Sequence, residues 1–396
     1  MMNKNEWKKV KLGDITIQIR GVTYKKSDVC EKETENFIPL LRANNIKDSK
    51  IIYNDVVFVN QNNVSENQIL RKNDILICTS SGSLNLVGKA GQINKNENIS
   101  FGAFCKVIRI LDENRLNPLY LNYFFQSNYY KQNIKKIAQG ANINNLKNGD
   151  IDNLEIILYS LEKQKYIGNI LNDLSNILNK RKEQLFELEK LVKFQFLKMT
   201  GDLITNEKKW NFEIFKNICD IRDGTHDSPK YIKNGYPLIT SKNITNGYLD
   251  FNNINYISKE DFDKINKRSK VDKGDIIMPM IGTIGKPLII NENIEFAIKN
   301  VALIKFNNSS YNNLFIKELL NSDYFYYIIK KNNRGGTQKF ISLGDIRNIL
   351  IPCIPIELQN KFAEFVKQVD KSKVELQKSI DETQLLFDSL MDRYFG

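Results

Sequence analysis

Residues 161–199 read LEKQKYIGNILNDLSNILNKRKEQLFELEKLVKFQFLKM, and the periodicity of this segment predicts one long helix. Its seam positions follow one another in alternating steps of four and three residues, which is the spacing of a heptad repeat. They are Ile167, Leu171, Leu174, Leu178, Arg181, Leu185, Leu188, Val192, Gln195 and Met199. Gly201 then ends the helix. Such a seam gives the helix one apolar face that needs a partner.

A second segment with the same spacing begins at Pro355, a residue type that favours the first turn of a helix. Two ordinary amphipathic helices would also explain the two seams, but matching seams in one chain favour pairing of the helices with each other. Arg181 and Lys373 interrupt the apolar stripes, and we expect both side chains to extend to solvent. The second seam comprises Phe362, Val366, Val369, Lys373, Leu376, Ile380, Thr383, Phe387, Leu390 and Tyr394, and Gly396 ends this helix.

The segments ahead of the two helices contain the same short blocks in the same order, which indicates an internal duplication with a period of roughly 200 residues. Between these blocks the two copies differ widely. A shared frame with different loops suits one task performed on two different targets. The paired blocks are Trp7 to Leu12 with Trp210 to Phe215, Ile38-Pro39-Leu40-Leu41 with Tyr236-Pro237-Leu238-Ile239, Asn73-Asp74-Ile75-Leu76 with Gly274-Asp275-Ile276-Ile277, Gly88-Lys89 with Gly285-Lys286, and Gly149-Asp150-Ile151 with Gly344-Asp345-Ile346.

Each copy mixes short apolar runs with turn residues ahead of its long helix, which predicts an α+β protein. In the first copy, Asn117-Pro118 begins a predicted helix that reaches Ile137. The predicted fold is two similar globular domains joined by two long helices that form an antiparallel coiled coil, with a pseudo-twofold internal repeat. The strand-like runs of the first copy are 56–59, 75–78, 107–110 and 154–158. The predicted boundaries are 1–160 and 205–354 for the globular domains, and 161–204 and 355–396 for the helices.

The composition limits the functions that the chain can have. The formal net charge of +12 favours a polyanionic partner such as nucleic acid, although an AT-rich genome, which encodes much Lys, Asn and Ile, explains the same charge. The five cysteines form no CxxC pair and indicate neither a zinc site nor a disulfide framework. The single histidine, His226, argues against most hydrolytic and metal chemistries. No apolar run reaches the ~18 residues of a membrane span, and we expect a cytoplasmic protein with no cofactor, metal or membrane partner.

Several motifs in this order resemble the specificity (S) subunit of type I restriction–modification systems. They are Trp7 with Gly13-Asp14-Ile15, the segment Asp223-Gly224-Thr225-His226-Asp227-Ser228-Pro229-Lys230-Tyr231, the block from Pro237 to Ile244, Gly335-Gly336-Thr337-Gln338-Lys339, and the helix start Ile354-Pro355-Ile356-Glu357-Leu358-Gln359. The resemblance covers essentially the whole chain. The first copy departs from the pattern, because Arg20-Gly21-Val22-Thr23 lacks the histidine and Gly140-Ala141-Asn142-Ile143 replaces the Gly-Thr-Gln sequence.

The resemblance implies that each globular domain is a target recognition domain that reads one half of a split sequence in double-stranded DNA. It implies that the paired helices set the distance between the halves and bind two modification subunits, which methylate adenine with S-adenosylmethionine. Restriction subunits, which move on DNA with ATP and cut it, join the complex. In this interpretation the chain has no catalytic residue and directs the chemistry of its partners.

Two other functions also fit the sequence. The chain could be a DNA methyltransferase or nuclease with an unrecognised active site, and Asn117-Pro118-Leu119-Tyr120 resembles the Asn-Pro-Pro-Tyr motif that holds a flipped adenine. The second proline is missing, however, and the counterpart in the second copy is Asn312-Asn313-Leu314-Phe315, so a helix cap is the better explanation. The chain could also be a basic coiled-coil scaffold.

The candidate DNA contacts are polar and basic residues in equivalent loops of the two copies. Arg and Lys suit phosphates or guanine, and Asn and Gln suit adenine. A solvated surface position would explain each of them as well, and His226 fits DNA contact and capping of a turn equally. The candidates are Arg20, Lys25, Arg42, Asn44, Lys89, Asn142 and Asn144 in the first copy, and Arg222, His226, Lys230, Lys242, Asn243, Lys286, Arg334, Gln338 and Lys339 in the second.

Overall fold

The computed structural model describes residues 7–396 apart from positions 84, 141–144, 246, 283–284, 292, 308 and 333–339. The chain divides into two compact units, one formed by residues 1–182 with 378–396 and the other by residues 183–377. Each unit combines a region of sheets and short helices with part of each long helix. The predicted α+β class and the internal repeat are therefore confirmed.

The first unit contains twelve of the described strands and three short helices ahead of the first long helix. The strands are β1 (Trp7–Lys11), β2 (Thr16–Arg20), β3 (Val29–Cys30), β4 (Phe37–Leu41), β5 (Ile46–Lys47), β6 (Lys50–Ile51), β7 (Val57–Asn60), β8 (Ile75–Cys78), β9 (Ala90–Gln92), β10 (Ser100–Phe101), β11 (Cys105–Ile110) and β12 (Glu155–Tyr159). The helices are α1 (Pro118–Phe124), α2 (Asn128–Gly140), α3 (Asn148–Asp152) and α4 (Leu161–Thr200).

The second unit repeats this order with two additional short helices, at Phe215–Ile218 and Lys259–Ser269. Its strands are β13 (Phe212–Ile214), β14 (Asp220–Asp223), β15 (Tyr236–Ile239), β16 (Ile244–Thr245), β17 (Tyr248–Leu249), β18 (Asn255–Ile257), β19 (Ile276–Pro279), β20 (Leu288–Ile289), β21 (Ala297–Ile298), β22 (Val301–Lys305) and β23 (Leu350–Pro352). Its helices are α5 (Phe215–Ile218), α6 (Lys259–Ser269), α7 (Asn313–Leu320), α8 (Asp323–Asn332), α9 (Leu343–Arg347) and α10 (Ile356–Phe395).

The sheets of the two units share one topology. The order β2-β11-β8-β9 of the first unit matches β14-β22-β19-β20 of the second, and the parallel pair β10-β4 matches β21-β15. The central strands β8 and β19 are buried along their whole length, because side chains on both of their faces are covered. These strands correspond to the apolar blocks that the sequence repeats.

One glycine in each unit, Gly21 or Gly224, allows two segments of its sheets to cross closely. After β2, Val22 N donates to Phe101 O at 2.8 Å, and after β14, Thr225 N donates to Ile298 O at 2.9 Å. A Cβ atom on Gly21 or Gly224 would lie 2.2 Å from a backbone oxygen of the crossing strand. Any side chain at these two positions would therefore force the strands apart.

Asp74 and Asp275, the acidic residues of one repeated block, each form an ion pair at the central sheet of their unit. In the first unit Arg109 Nη2 lies 2.7 Å from Asp74 Oδ2, and in the second Lys305 Nζ lies 2.6 Å from Asp275 Oδ2. Each pair joins neighbouring strands of the central sheet. Burial raises the pKa of the Asp275 carboxyl, whereas the hydrogen bond from Lys305 lowers the pKa of Asp272.

The long helices α4 and α10 pair antiparallel, as the seams predict. In the first unit the beginning of α4 packs on the end of α10, with Ile167 and Tyr394 in one apolar cluster. In the second unit the end of α4 meets the beginning of α10, where the rings of Phe196 and Phe362 lie 5.5 Å apart. The expectation that Arg181 extends to solvent is wrong. Its Nη1 donates to Ser379 O of α10 at 2.8 Å and to the Thr383 hydroxyl.

The end of α10 also completes the core of the first unit. The ring centroid of Phe395 lies 4.8 Å from that of Tyr120 and 6.4 Å from that of Phe124, both on α1. All three side chains are buried. The first unit therefore needs a segment that follows the whole of the second unit in sequence.

One buried glutamine fixes each long helix to the region ahead of it. On α4, the Gln164 side chain accepts from Asn117 N at 2.8 Å and donates to Tyr159 O at 2.8 Å. On α10, Gln359 accepts from Asn312 N at 2.9 Å and donates to Ile354 O at 2.8 Å. Both asparagines begin a short helix, so each amide links that helix start to the chain that enters the long helix.

The single helix predicted from Asn117 to Ile137 is wrong, because the structure contains α1 and α2 separated by a turn. At the turn, Ser127 is buried; its hydroxyl donates to Phe124 O at 2.7 Å and accepts from Tyr130 N at 3.1 Å. The serine replaces helical backbone bonds, so the chain changes direction without losing hydrogen bonds. Within the described residues, no helix is long and apolar enough to cross a membrane.

We predict that Gln164→Met and Gln359→Met each lower the free energy of unfolding by about 1–3 kcal/mol, because each leaves a buried N–H and a buried carbonyl without a partner. Lys165→Met is the matched control, since Lys165 is the exposed neighbour on the same helix. Differential scanning calorimetry of the three variants checks this. Equal melting temperatures for all three would show that the amides do not hold the helices.

Candidate nucleic-acid interface

Equivalent one-turn 3₁₀ helices, Ala43–Asn45 and Ser241–Asn243, follow β4 and β15. The last residue of each is buried and holds the turn. Asn45 accepts from Arg42 N at 2.9 Å and donates to Ile52 O at 2.9 Å. Asn243 accepts from Thr240 N at 3.0 Å and donates to Asp250 O at 3.2 Å. The side chain of Asn243, a candidate DNA contact, therefore lies in the interior, and its amide is used within the protein.

The structure brings the candidates Arg42 and Asn44 together on the outer side of the first turn. Asn44 Nδ2 donates to Asp55 Oδ2 at 2.8 Å, and Arg42 Nη2 donates to Asp55 O at 3.1 Å. Both side chains line a cleft of about 400 Å³ that Tyr24, Ser80, Ser81 and Phe104 also line. Asp55 thus orients one residue type suited to guanine and one suited to adenine.

Lys89 lies in a different cleft of about 580 Å³, which Lys131 and Lys135 of α2 also line. Gly88 has a φ of 83°, and its carbonyl accepts from the Tyr130 hydroxyl at 2.9 Å, which holds the loop against α2. The two lysines of α2 were not among the candidates. Their i, i+4 spacing on a predicted helix was the signal that could have identified this basic surface.

The remaining described candidates of the first unit, Arg20 and Lys25, are exposed. Arg20 ends β2, and its carbonyl accepts from Gln68 Nε2 at 3.0 Å. Lys25 begins a 3₁₀ turn and donates its backbone N–H to Asp28 Oδ2 at 2.8 Å. Asn142 and Asn144 lie outside the described residues.

In the second unit His226 is held by two neighbours. Its Nε2 lies 2.8 Å from Asp223 Oδ2, and its Nδ1 lies 2.8 Å from Asn300 Oδ1. Asp223 is buried and forms a further ion pair with Arg268. Both contacts of His226 are with side chains, so they decide neither of the two roles considered for it, and its side chain is 62% exposed.

Arg222 is likewise engaged within the second unit. It hydrogen-bonds Asp220 Oδ2 through Nε at 2.9 Å and donates to Arg268 O at 2.8 Å through Nη1. The hydrogen bond with Asp220 raises the pKa of the Arg222 guanidinium. This arginine is therefore positioned beside α6 rather than free.

Helix α6 contributes basic residues that the sequence analysis missed. Lys264 and Arg268 line a cleft of about 340 Å³ that is also lined by three aspartates, Asp223, Asp227 and Asp261, so the cleft carries both charges. The first unit has only short 3₁₀ turns at this place in its sequence. The segment 259–270 is rich in lysine, but it has no counterpart among the repeated blocks.

Three candidates of the second unit are exposed lysines. Lys242 lies in the turn whose last residue is Asn243. Lys286 follows Gly285, and the backbone φ of Lys286 is 57°. Lys230 lies in the loop after β14. Arg334, Gln338 and Lys339 lie outside the described residues.

The tetrapeptide that resembles a methyltransferase motif is the start of a helix. The Asn117 side chain accepts from Leu119 N at 3.1 Å and from Tyr120 N at 3.0 Å. Tyr120 is fully buried, and its hydroxyl donates to Ile157 O at 2.7 Å. Among the residues that the structure describes, no three His, Cys, Asp or Glu side chains cluster as a metal site requires.

These observations define a duplicated α+β protein in which each unit carries its own cluster of polar and basic loops. The chain belongs to the type I restriction modification DNA specificity domain family, whose model matches residues 4–188 and 207–383.

Curated relatives come from bacteria and an archaeon. The type I restriction enzyme EcoKI specificity subunit of Escherichia coli (strain K12) is 31% identical over 284 residues, which cover 68% of this chain and 60% of that subunit. The StySPI specificity subunit of Salmonella potsdam is 36% identical over 187 residues, which cover 47% of this chain and 40% of that subunit. The match to the MjaVIII specificity subunit of Methanocaldococcus jannaschii is 24% identical and covers 92% of this chain and 86% of that subunit. The chain thus matches 60% or less of the length of the first two relatives.

Solved structures share the fold. The crystal structure of a type I restriction–modification S subunit from M. genitalium has a TM-score of 0.60 at 16% identity, and the match covers 100% of this chain and 98% of that chain. A chain solved in a study of complex assembly and conformational transition of the type I system has a TM-score of 0.61 at 15% identity, covering 100% and 99%.

We predict that Asn45→Ala and Asn243→Ala lower the free energy of unfolding by about 1–3 kcal/mol, because each leaves buried backbone groups of its turn without partners. Lys242→Ala, one residue away but exposed, should change it by less than about 0.5 kcal/mol. Thermal unfolding of the three variants separates the buried asparagines from the exposed lysine. A destabilised Lys242→Ala with an unaffected Asn243→Ala would contradict this assignment.

Proposed function

We propose that this chain recognises a two-part sequence in double-stranded DNA and directs partner subunits that methylate and cut DNA. The observation that carries the proposal is the pair of equivalent loops with different chemistry on one repeated frame. After β4 the turn presents Arg42 and Asn44, whereas after β15 the equivalent positions are Thr240 and Lys242. Loops that differ while their frame is kept suit two different half-sites. The relatives are named specificity subunits of type I restriction enzymes, which agrees with this role.

In this proposal residues 1–160 and 205–354 are the target recognition domains, and residues 161–204 and 355–396 are the helical spacers. The contacts with DNA come from the candidates that are exposed or half-buried, and Asn243 is left out because it is buried. The proposed contacts are Arg20, Lys25, Arg42, Asn44, Lys89, Arg222, His226, Lys230, Lys242 and Lys286, together with Asn142, Asn144, Arg334, Gln338 and Lys339.

The partners proposed are two modification subunits, which transfer methyl groups to adenine, and restriction subunits, which cut the DNA. The chain itself supplies recognition, and we place its action in the cytoplasm, where the DNA of a prokaryotic cell lies. The Asn117 side chain caps α1 and the Tyr120 side chain is buried, and both observations support recognition over the alternative methyltransferase function. Methyl transfer by the purified chain alone would contradict the proposal.

Exchange of residues 16–110 for the corresponding segment of another family member should change one half of the methylated sequence and leave the other half intact. This segment spans β2 to β11 and keeps the ring contacts of α1 with Phe395. It also supplies Ile75, Ile77 and Ile108 to the cluster that α10 completes, so the donor must carry apolar residues at these positions. Sequencing of methylated bases in cells that express the modification subunits with either protein provides the measurement. A chimera that altered both halves together would refute modular reading.

Asp55→Asn should raise the affinity for duplex DNA by about threefold near 50 mM salt, because it removes a negative charge beside Arg42 while an oxygen remains for Asn44. The gain should shrink at ~200 mM salt as screening increases. Asp112→Asn is the control, since Asp112 follows the far end of β11. Titration of labelled duplex with the complex of chain and modification subunits measures both. An unchanged or lower affinity for Asp55→Asn would count against DNA at this cleft.

A further inference from the structure

The ring of Phe104 is an exposed apolar group among polar side chains. It is 70% exposed, it lies in the loop between β10 and β11, and it lines the same cleft as Arg42 and Asn44. An apolar side chain of this size normally stabilises a protein by leaving water. Here the fold gives up that stabilisation at the place where the candidate contacts converge.

The backbone that carries this ring is anchored. The carbonyl of Phe104 accepts from Thr79 N at 2.9 Å and from Ser80 N at 3.1 Å. The preceding residue, Ala103, donates its N–H to Val22 O at 2.9 Å. The exposed ring therefore belongs to a loop whose backbone is hydrogen-bonded to the end of β8 and to the segment after β2.

Phe104 is also an extra residue relative to the second unit. Gly102 and Lys299 are equivalent, because each donates its N–H to the end of the neighbouring strand, at Leu41 O and Ile239 O. Cys105 and Val301 are equivalent by their register with β8 and β19. Two residues lie between Gly102 and Cys105, whereas one residue lies between Lys299 and Val301. The second unit has only Asn300 there, and its side chain bonds His226.

We infer that Phe104 contacts the 5-methyl group of a thymine in the half-site that the first unit reads. The inference rests on the proposed function and names one base-reading residue within it. In the major groove the four bases present hydrogen-bonding groups, and thymine alone adds an apolar one. An aromatic ring in the same cleft as Arg42 and Asn44 suits an apolar methyl group in an otherwise polar groove. The second unit lacks this ring, so its half-site is read without the contact.

The test uses the complex of the full chain with its modification subunits, and synthetic duplexes in which deoxyuridine replaces each thymine of the first half-site in turn. Deoxyuridine pairs as thymine does but lacks the methyl group. Wild-type affinity should fall about fourfold at one position, the ratio expected for one buried methyl group. Phe104→Ala should lower the affinity for the natural duplex by roughly tenfold and be insensitive to deoxyuridine at that position.

Two controls keep the result specific. Leu111→Ala removes another exposed apolar side chain, at the other end of β11, and should keep the full deoxyuridine effect. Phe104→Ala should unfold at the wild-type temperature, because its ring contributes little to the core.

The outcomes separate this inference from the proposed function. If wild type binds its target specifically but no thymine shows the effect, or Phe104→Ala keeps it, the inference is wrong. If Phe104→Ala lowers the affinity for every duplex equally, the ring contacts DNA without reading its sequence and the inference is wrong. The inference is also wrong if Phe104→Ala prevents assembly with the modification subunits but leaves sequence specificity unchanged. If wild type distinguishes no sequence, the proposed function fails and the inference fails with it.

Discussion

The structure depends on a single side-chain amide at the start of each long helix. Gln164 and Gln359 accept a backbone N–H from a helix start and donate to the carbonyl of the chain entering the long helix. An amide does both at once because it carries a donor and an acceptor, whereas an ionised carboxylate has no donor and a thioether is only a weak acceptor. This link holds the start of each long helix against the short helix that begins at Asn117 or Asn312. Further along, the two long helices pack on each other through their apolar seams.

The sequence predicted the elements that are marked by a continuous pattern of apolar residues along the chain. The heptad spacing places α4 at about 161–199, and it is observed at Leu161–Thr200. Ten consistent seam positions from Ile167 to Met199 outweigh any single exception. The strand 75–78 is equally well placed, since its four apolar residues are buried on both faces. The break at Ser127 was missed because a buried serine that satisfies two backbone groups has no local signature distinct from a helical serine.

The site was less predictable because its residues are brought together by register, which sequence spacing does not contain. Asn243 and Lys242 are neighbours in the same turn, yet one points inward and the other outward, and only the hydrogen bonds of the turn decide which. Phe104 becomes visible as an extra residue only when Gly102 and Cys105 are aligned by their strand partners. Arg268 lies on a helix for which the first copy offers no counterpart.

The contact between Tyr120 and Phe395 has a consequence for how the protein is made. A ribosome adds residues in order at a rate of roughly 5–20 per second, so Tyr120 emerges on the order of tens of seconds before its partner exists. The unit that is synthesised first is thus completed last. Until α10 is made, Tyr120 and Phe124 lack the packing of Phe395. A premature stop codon within α10 would leave the beginning of the chain, not only its end, with an open core.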